Sequence, residues 1–263
     1  MLTTPLQRLR LDDDRMVICT SPAEARMLWR ETMATNGFYR HAAARLRPGE
    51  IVLDIGANIG LTAMMLAEAC PGIRIIAAEP VPTIFHCLQR NMAAHVPHGV
   101  SLQVAVGAVP GIMPFTWYPR ASANSGLYAD REGDGETTKI FLRNSGLDDE
   151  SIEHITAGLH DGEQIDVAVT TVSAILAEHA PTAEIGLLKV DVERAELDVL
   201  RGITEVDWRR IRAVVAEVHD TDGRLAQFCD LLGRHGLSPH RRQDPSLTGT
   251  ELHEIYAARP LAN

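Results

Sequence analysis

The sequence has few cysteines, and none of them are close together. Cys19, Cys70, Cys87 and Cys229 are the four cysteines of the 263-residue chain, and no two of them form a C-x-x-C pair. That spacing excludes a zinc knuckle and argues against a disulfide framework. We therefore expect reduced thiols, as in a cytoplasmic protein.

Long apolar runs and basic clusters are also absent. No hydrophobic run approaches the roughly 20 residues that cross a membrane, and the N-terminus lacks the apolar core of a signal peptide. The net charge is −10, and no stripe of Lys and Arg is available to neutralise a nucleic-acid backbone. The hydrophobic content of 45% is that of an ordinary globular protein with a sizeable core. The sequence thus predicts a soluble cytoplasmic protein without nucleic-acid or membrane partners.

What the chain does contain is one complete β-α-β pattern over residues 51–80. An apolar β-branched run ends in Asp54, Gly56 and Gly60 flank a turn, and a second apolar run ends in Glu79, 19 residues after Gly60. That spacing brings an acid to the tip of the neighbouring parallel strand, where it can accept hydrogen bonds from both hydroxyls of a ribose. The glycines allow close backbone approach, and the helix N-terminus offers free N–H groups to a carboxylate. The pattern predicts a nucleoside site.

The residues of the turn distinguish between two nucleoside cofactors. A dinucleotide fingerprint, G-x-G-x-x-G, has glycine at its second conserved position to make room for pyrophosphate, whereas this chain has Asn58 there. Asp54 would repel an anionic pyrophosphate and attract the ammonium of a methionine moiety. The turn therefore predicts S-adenosylmethionine rather than NAD. The residues predicted to contact this cofactor are Asp54, Gly56, Ala57, Asn58, Gly60, Glu79, Pro80 and Val106.

Helical and strand patterns alternate through most of the chain. The alternation predicts an α/β fold, a doubly wound and mostly parallel sheet of the Rossmann type. We assign residues 1–47 to an N-terminal extension of a short hairpin and two helices, and residues 48–263 to the main domain. There, 100–106 is predicted as one strand, and a helix at 224–235 is followed directly by a last strand at 252–258. Residues 114–164 are rich in Gly, Ser, Asn and Asp, which predicts a lid, a binding insertion or a disordered loop.

Charged residues follow two of the predicted strands. Lys189, Asp191 and Glu193 alternate along one strand, and Glu217 and His219 alternate along another. A period of two places each set on one side of its strand, at the carboxyl end where ligands of parallel sheets bind. Both sets should therefore converge on the edge where the cofactor lies.

Two chemical roles are open for these side chains. In the first, His219 takes the proton of an acceptor hydroxyl, because its ordinary pKa of about 6.5 suits a base at neutral pH, and Asp191, Glu193 and Glu217 orient it. In the second, the carboxylates bind a divalent metal ion that lowers the hydroxyl pKa. A purely structural charge cluster explains the same residues, above all Lys189. We favour the metal-free route, because His219 flanked by acids already supplies a base with its orienter.

Four further residues are candidates for acceptor binding. Trp117, Tyr118 and Asn124 lie in the insertion, and Tyr39 lies just before the β-α-β pattern. Aromatic side chains can form the wall of an acceptor pocket, and core packing explains Trp117 and Tyr118 nearly as well.

Two separated motifs resemble the FkbM family of S-adenosylmethionine-dependent methyltransferases. They are Asp54-Ile-Gly-Ala-Asn-Ile-Gly60 with Glu79-Pro80 and Asn91, and Leu188-Lys-Val-Asp-Val-Glu-Arg-Ala-Glu-Leu-Asp-Val-Leu-Arg-Gly202. Residues 115–130, 216–225 and 243–257 are similar to the branch of this family found in or beside nonribosomal peptide and polyketide synthases. In that branch, as here, Arg194 stands where the broad family usually has Gly, and Ser173 where it usually has Asp.

The resemblance implies methylation of a hydroxyl oxygen on a polyketide, a nonribosomal peptide or a sugar. A carrier-protein or adenylation domain does not fit in 263 residues, so we expect a free-standing tailoring enzyme whose acceptor is a small molecule, free or tethered to a carrier protein. An N- or carboxyl-methyltransferase of a small metabolite is the main alternative among enzymes. A non-catalytic, cofactor-binding partner of a synthase is the alternative from another class. Asn58 in the turn disfavours an NAD-dependent oxidoreductase.

Overall fold

The structure is a computed structural model that describes residues 5–34 and 37–260. The predicted end of the first helix, just before Asn36, lies outside these residues. The start of the predicted extension at residue 1 and the end of the predicted main domain at residue 263 also lie outside them. The strands are, in chain order, β1 (Gln7–Arg10), β2 (Met16–Cys19), β3 (Ile51–Ile55), β4 (Arg74–Ala78), β5 (Val100–Leu102), β6 (Ala105–Val106), β7 (Gly111–Trp117), β8 (Glu163–Thr170), β9 (Ile185–Val190), β10 (Ala213–His219), β11 (Ser238–Arg242) and β12 (Leu252–Ala258).

Helices separate most of these strands, as the alternation in the sequence predicts. They are α1 (Pro22–Met33), α2 (Phe38–Ala43), α3 (Leu61–Ala69), α4 (Pro82–His95), α5 (Arg131–Asn144), α6 (Asp149–Thr156), α7 (Val172–His179), α8 (Glu196–Arg201), α9 (Glu205–Trp208) and α10 (Arg224–Arg234). Short 3₁₀ turns occur at Ser122–Asn124 and Pro245–Leu247. No helix in the described part of the chain is both long enough and apolar enough to cross a bilayer.

The central sheet has seven strands in the order β11-β12-β10-β9-β3-β4-β5. The five strands from β10 to β5 run parallel, and β12 is antiparallel to both β10 and β11. The winding direction of the sheet reverses between β3 and β9. Ligands of open α/β sheets bind beyond the strand ends at such a switch point. The predicted doubly wound, mostly parallel α/β fold is confirmed.

Helices cover both faces of this sheet, and the period of two along β3 decides which residue faces which layer. Val52 packs into a buried cluster with α1, α3 and α4, whereas Leu53 packs into a second cluster with α7, α8 and α10. Both side chains are fully buried. The sheet is therefore the middle of three layers.

The N-terminal hairpin is tied to the main domain by one side chain of α4. Asn91 accepts a hydrogen bond from the Ile18 N–H at 2.7 Å and donates to the carbonyl oxygens of Ile18 at 2.9 Å and Ile59 at 2.8 Å. The next helix, α1, begins at Ser21, whose hydroxyl caps the helix by accepting from the Glu24 N–H. The extension therefore sits beside the glycine turn that contains Ile59.

Three predictions about local structure were wrong. Residues 100–106 form two strands, because the chain leaves the large sheet after β5 and enters a three-stranded sheet, β6-β8-β7, at β6. Strand β11 was not predicted, because it is an exposed edge strand with Pro239 and two arginines instead of an apolar run. Of the three readings of the insertion, the disordered loop is wrong, because the insertion contains α5 and α6 between β7 and β8, whereas the lid and the binding insertion stay predictions. Its helical signal is weak because α5 is polar, with Asp134 as its one buried residue.

Candidate functional site

The glycine turn after β3 depends on a contact that only glycine permits. Gly56 has a φ of +76°, and a Cβ at this position would lie 1.6 Å from the carbonyl oxygen of Asp191, just after β9. The N–H groups of Gly56 and Ala57 both donate to the Ala78 carbonyl, at 3.1 and 2.9 Å. Gly60, with a φ of +90°, then begins α3. The turn is thus fixed between the ends of the two neighbouring strands, β4 and β9.

Asn58 joins this turn to the insertion. Its backbone has a φ of +48°, which its side chain supports by accepting from the Ile59 N–H at 2.8 Å. The amide nitrogen of the same side chain donates to the hydroxyl of Ser122 at 3.1 Å. The predicted cofactor turn and the insertion are therefore in direct contact.

Glu79, at the end of β4, is buried beside the turn with 6% of its surface exposed. Its two carboxyl oxygens accept from the N–H groups of Asn58 at 3.1 Å and Val81 at 2.9 Å. Burial raises the pKa of Glu79 to about 7, against these two hydrogen bonds, which lower it. Each oxygen keeps a second lone pair. The side chain is therefore held in place and can still accept two further hydrogen bonds.

Asp54 lies beneath the turn and does not reach the cavity. It is fully buried, and one carboxyl oxygen lies 3.1 Å from Nζ of Lys189. The same ammonium lies 3.2 Å from Asp191 and donates to the Gly56 carbonyl at 2.6 Å. Burial lowers the pKa of Lys189, but the two carboxylates outweigh it and raise the pKa above its ordinary value. Lys189 therefore stays charged and fixes both acids and the turn.

Tyr39 shares Asp191 with this lysine. The phenol of Tyr39, 8% exposed, donates to Oδ2 of Asp191 at 3.1 Å. Burial and the charges of Asp191 and Glu217 raise the pKa of Tyr39 well above its usual value. The phenol is therefore a hydrogen-bond donor at neutral pH, and Asp191 has its Oδ2 occupied by two donors.

His219 has both ring nitrogens engaged with buried acids. Nε2 lies 3.3 Å from Oε2 of Glu193, and Nδ1 lies 3.2 Å from Oε1 of Glu196. Burial lowers the pKa of His219, but the hydrogen bonds to Glu193 and Glu196 raise it well above 6.5 overall. Both ring nitrogens face carboxylates, so neither is directed at a substrate proton in the cavity. This geometry does not support the predicted role of His219 as base.

Glu193 lines the cavity and lies between it and His219. Burial raises its pKa to about 7, and the hydrogen bond with His219 limits the rise. Glu217, at the end of β10, has a pKa raised well above its ordinary value by burial and by the charges of Asp191 and Glu193. Its surroundings therefore favour the protonated form of Glu217 more than water does, whereas Glu193 changes its charge close to neutral pH.

A cavity of about 590 Å³ lies beyond the carboxyl ends of the central strands. We call its two sides the turn side, with Glu79, and the acid side, with Glu193. The predicted cofactor residues that line it are Gly56, Ala57, Asn58, Glu79, Pro80 and Val106. The predicted catalytic and acceptor residues that line it are Tyr39, Asn124, Asp191, Glu193 and Glu217.

Five predicted site residues lie behind the cavity wall. Asp54 and Gly60 belong to the structure of the turn, and His219 lies behind Glu193. Trp117 and Tyr118 are buried in the three-stranded sheet and its flank, 5% and 1% exposed. Their contribution is therefore to the packing of the insertion.

The insertion adds an apolar wall to this cavity. The wall residues are Leu127, Phe141, Leu142, Ile155 and Leu159. Met27 and Leu28 of α1 and Phe38 of α2 also line the cavity. A cavity with one polar, glycine-rich side, one acidic side and an apolar wall can hold a nucleoside together with a second, less polar molecule.

Sequence reasoning did not find Arg194, Glu196 or Glu31 as part of the site. Glu196 stands behind His219, and Glu31 of α1, an exposed residue, lines the cavity. A single polar residue on an amphipathic helix gives no signal of this kind. Only the fold brings α1 and α8 to the same sheet edge.

Within residues 5–34 and 37–260, no three His, Cys, Asp or Glu side chains are grouped so that they could hold a metal ion. The acids of the site have other partners: Asp191 is engaged by Lys189 and Tyr39, and Glu193 by His219. Chelation with EDTA remains the direct test of the metal route.

The raised pKa of Glu79 predicts a pH-dependent stability. A carboxyl whose pKa is higher in the folded than in the unfolded protein stabilises the fold fully below about pH 4.5, and this contribution is lost as the pH rises through about 7. We expect the free energy of unfolding of the cofactor-free protein to fall between pH 5 and pH 8, with about 2–3 kcal/mol of the fall due to Glu79. Urea unfolding of Glu79→Gln should show a shallower fall. Glu205→Gln, at an exposed position, should follow the wild-type slope, and an unchanged slope in Glu79→Gln would contradict the assignment.

Comparison with known proteins gives a family match over most of the chain. A sequence model described as the methyltransferase FkbM domain matches residues 54–241. The 31-O-demethyl-FK506 methyltransferase FkbM of Streptomyces tacrolimicus is 39% identical over 255 residues, which cover 97% of each chain. The AMB antimetabolite synthetase AmbE of Pseudomonas aeruginosa is 34% identical over 228 residues, 82% of this chain but 11% of that synthetase.

Among solved structures, the O-methyltransferase TomG of Streptomyces achromogenes, in complex with S-adenosylmethionine, is similar to 85% of this chain and 80% of its own. The TM-score is 0.46 and the sequence identity 14%.

Proposed function

The chain belongs to the FkbM family of S-adenosylmethionine-dependent methyltransferases, and we propose that it methylates a hydroxyl of a small, largely apolar secondary metabolite. The observation that carries the proposal is the cavity that joins Glu79 on the turn side to Glu193 on the acid side. One side suits the nucleoside of the cofactor, and the other supplies a group that can accept a proton.

The turn side fits S-adenosylmethionine. Glu79 is buried, aimed into the cavity and able to accept two more hydrogen bonds, as the two hydroxyls of a ribose require. The backbone of Gly56 and Ala57 lines the same side without side chains that would block a ligand. Asp191 takes over the role predicted for Asp54, because it is the carboxylate near the turn that lines the cavity. When bound, the cofactor supplies a methyl group on a positively charged sulfur.

On the acid side, Glu193 is the base in this proposal. Its pKa of about 7 leaves a large share of the carboxylate free to take a proton at neutral pH. Bound S-adenosylmethionine would supply the methyl group and keep the electron pair of the C–S bond on its sulfur, and Glu193 takes the proton that the acceptor hydroxyl loses. The imidazolium of His219 holds Glu193 in place, with Glu196 behind it. Asp191 is less suited to this role, because Lys189 and Tyr39 already occupy its Oδ2.

The remaining walls favour a neutral acceptor. The insertion contributes apolar side chains, which suit hydrocarbon surface. Glu31 and Asp191 on the same cavity disfavour an acceptor carboxylate, because like charges repel. This argues against the carboxyl-methyltransferase alternative. These acids would not repel an amine acceptor. The methylated product, an ether or an N-methyl amine, distinguishes a hydroxyl acceptor from an amine acceptor.

A panel of matched acceptors tests the proposal. We suggest 31-O-demethyl-FK506, the substrate stated in the name of the Streptomyces relative, with the same compound capped at that hydroxyl, a hydrophobic amine and a hydrophobic acid. We expect S-adenosylhomocysteine release and a new O-methyl signal in NMR with the free hydroxyl, and neither with the capped control.

Other outcomes of this panel would overturn the proposal in different ways. Methyl transfer to the amine alone would show an N-methyltransferase. Tight binding of S-adenosylhomocysteine without transfer to any hydroxyl acceptor would favour a non-catalytic partner of a synthase. Activity abolished by EDTA and restored by Mg²⁺ would replace Glu193 as the base by a metal route.

A further inference from the structure

The loop of residues 191–195 carries Glu193, and glycine backbones contact it closely on two sides. On one side the Asp191 carbonyl touches Gly56, as described above. On the other, a Cβ at Gly126 of the insertion would lie 2.7 Å from the carbonyl oxygen of Glu193. Within this loop, Glu193 and Arg194 have φ values of +51° and +72°. Two successive non-glycine residues in the left-handed region need compensation from their side chains.

The side chain of Arg194 supplies that compensation. It is 8% exposed, and one guanidinium nitrogen lies 2.8 Å from Oδ1 of Asp134 in α5. The other terminal nitrogen forms an ion pair with Glu251, just before β12. One buried cation therefore bridges three segments that are distant in sequence: the Glu193 loop, the insertion and the C-terminal segment.

Asp134 carries this connection further into the insertion. Its second oxygen, Oδ2, accepts from the Tyr118 hydroxyl at 3.1 Å and from the Asp130 N–H at 3.0 Å. Helix α5, which contains Asp134 in its first turns, also supplies Phe141 and Leu142 to the cavity wall. At the far end of this helix, Asn144 donates to the carbonyl oxygens of Ser246 and Thr248. Helix α5 is thus tied down at both ends, but only the Arg194 end is connected to the loop of Glu193.

From this arrangement we infer that Arg194 is a positioning residue that couples closure of the acceptor wall to the alignment of Glu193. The inference rests on the proposed function, because it assigns a role in placing the acceptor against the base. The planar guanidinium can bind two carboxylates at once, which a lysine ammonium cannot do with the same geometry. Loss of this bridge frees the N-terminal end of α5 and the Glu193 loop together.

Arg194→Gly tests the inference with little backbone strain, because glycine adopts a φ of +72° readily. Hydrogen exchange with S-adenosylhomocysteine bound should show faster exchange in the first turns of α5 and in residues 191–195. The dissociation constant of S-adenosylhomocysteine should change less than threefold, because Lys189 and Tyr39 still hold the Asp191 side chain in the variant. With the hydroxyl acceptor of the panel, KM should rise and kcat should fall, each about tenfold or more.

Asn144→Ala is the matched control. It removes the hydrogen bonds to Ser246 and Thr248 at the C-terminal end of α5 and should speed hydrogen exchange there. We expect kcat to stay within about threefold of wild type. Asp134→Asn removes the charge that Arg194 binds, keeps the size of the side chain, and should reproduce the Arg194→Gly pattern. The double variant should be no worse than either single one, because both remove the same bridge.

Two results would overturn the inference. One is unchanged exchange in residues 191–195 in both Arg194→Gly and Asp134→Asn. The other is a fall in kcat in Asn144→Ala as large as that in Arg194→Gly, which would show a general effect of loosening the wall. If wild-type protein methylates no hydroxyl acceptor, the proposed function fails, but the exchange measurements still decide whether the bridge couples the two segments.

Discussion

Replacing Glu193 by glutamine is expected to lower turnover by about 10²–10⁴-fold, the usual contribution of a general base. Glutamine keeps the size of the side chain and can still accept from His219, but it cannot take a proton. The affinity for S-adenosylhomocysteine should stay within about threefold of wild type, because Glu79 and the turn are untouched. The loss should appear in single-turnover experiments, where product release does not limit the rate.

The pH dependence of turnover separates this role from a general effect of charge. In wild type, the rate should rise with pH through about 7 as Glu193 loses its proton. Glu31→Gln is the matched comparison, because it removes another carboxyl that lines the cavity but that has no histidine behind it. We expect the rise with pH to persist in Glu31→Gln and to vanish in Glu193→Gln. Wild-type turnover in Glu193→Gln would transfer the role to Asp191 or Glu217.

Replacing Gly56 by alanine is expected to destabilise the protein by about 3 kcal/mol or more and to abolish cofactor binding. The new Cβ would fall 1.6 Å from the Asp191 carbonyl, so the turn and the loop after β9 must move apart. Both sides of the cavity are built on that contact. Urea unfolding gives the stability, and calorimetric titration with S-adenosylhomocysteine gives the binding.

Gly49→Ala is the control for this substitution. Gly49 also has a positive φ, +87°, but a Cβ added there would meet no described atom within 4 Å. It should therefore cost only the left-handed strain of about 1–2 kcal/mol. Equal costs at the two positions would show that backbone strain, and not the contact with the Asp191 loop, makes glycine necessary at position 56.

The turn side could be predicted from the sequence because its signals are local. The strand, both glycines and Glu79 fall within residues 51–80, where spacing alone determines which strand end each residue reaches. Asp54 shows the limit of this reasoning. Its position in the motif indicates proximity to the ligand, but the period of two along β3 places it with Val52, beneath the helices, where Lys189 neutralises it.

The acid side could be predicted only in part. Periodicity places Asp191, Glu193 and Glu217 at one edge of the sheet. It does not show which of these side chains will already be hydrogen-bonded to a neighbouring residue. His219 is enclosed because α8 places Glu196 against its second nitrogen, and that contact depends on how α8 packs. The insertion was predicted least well, since its helices are polar and two of its key residues, Asp134 and Asn144, act through partners more than 50 residues away in the chain.

The three-stranded sheet has a consequence for how such enzymes diversify. Strands β7 and β8 frame the insertion and pair with each other along seven residue positions, outside the seven-stranded sheet. Sequence changes between them alter the acceptor wall and leave the strand order and register of the central sheet unchanged. Under the proposed function, the fold thus keeps the segment that contacts the acceptor apart from the segment that holds the cofactor. The buried ion pair of Arg194 with Asp134 connects the two segments, so we expect it to limit which sequence changes the insertion can accept.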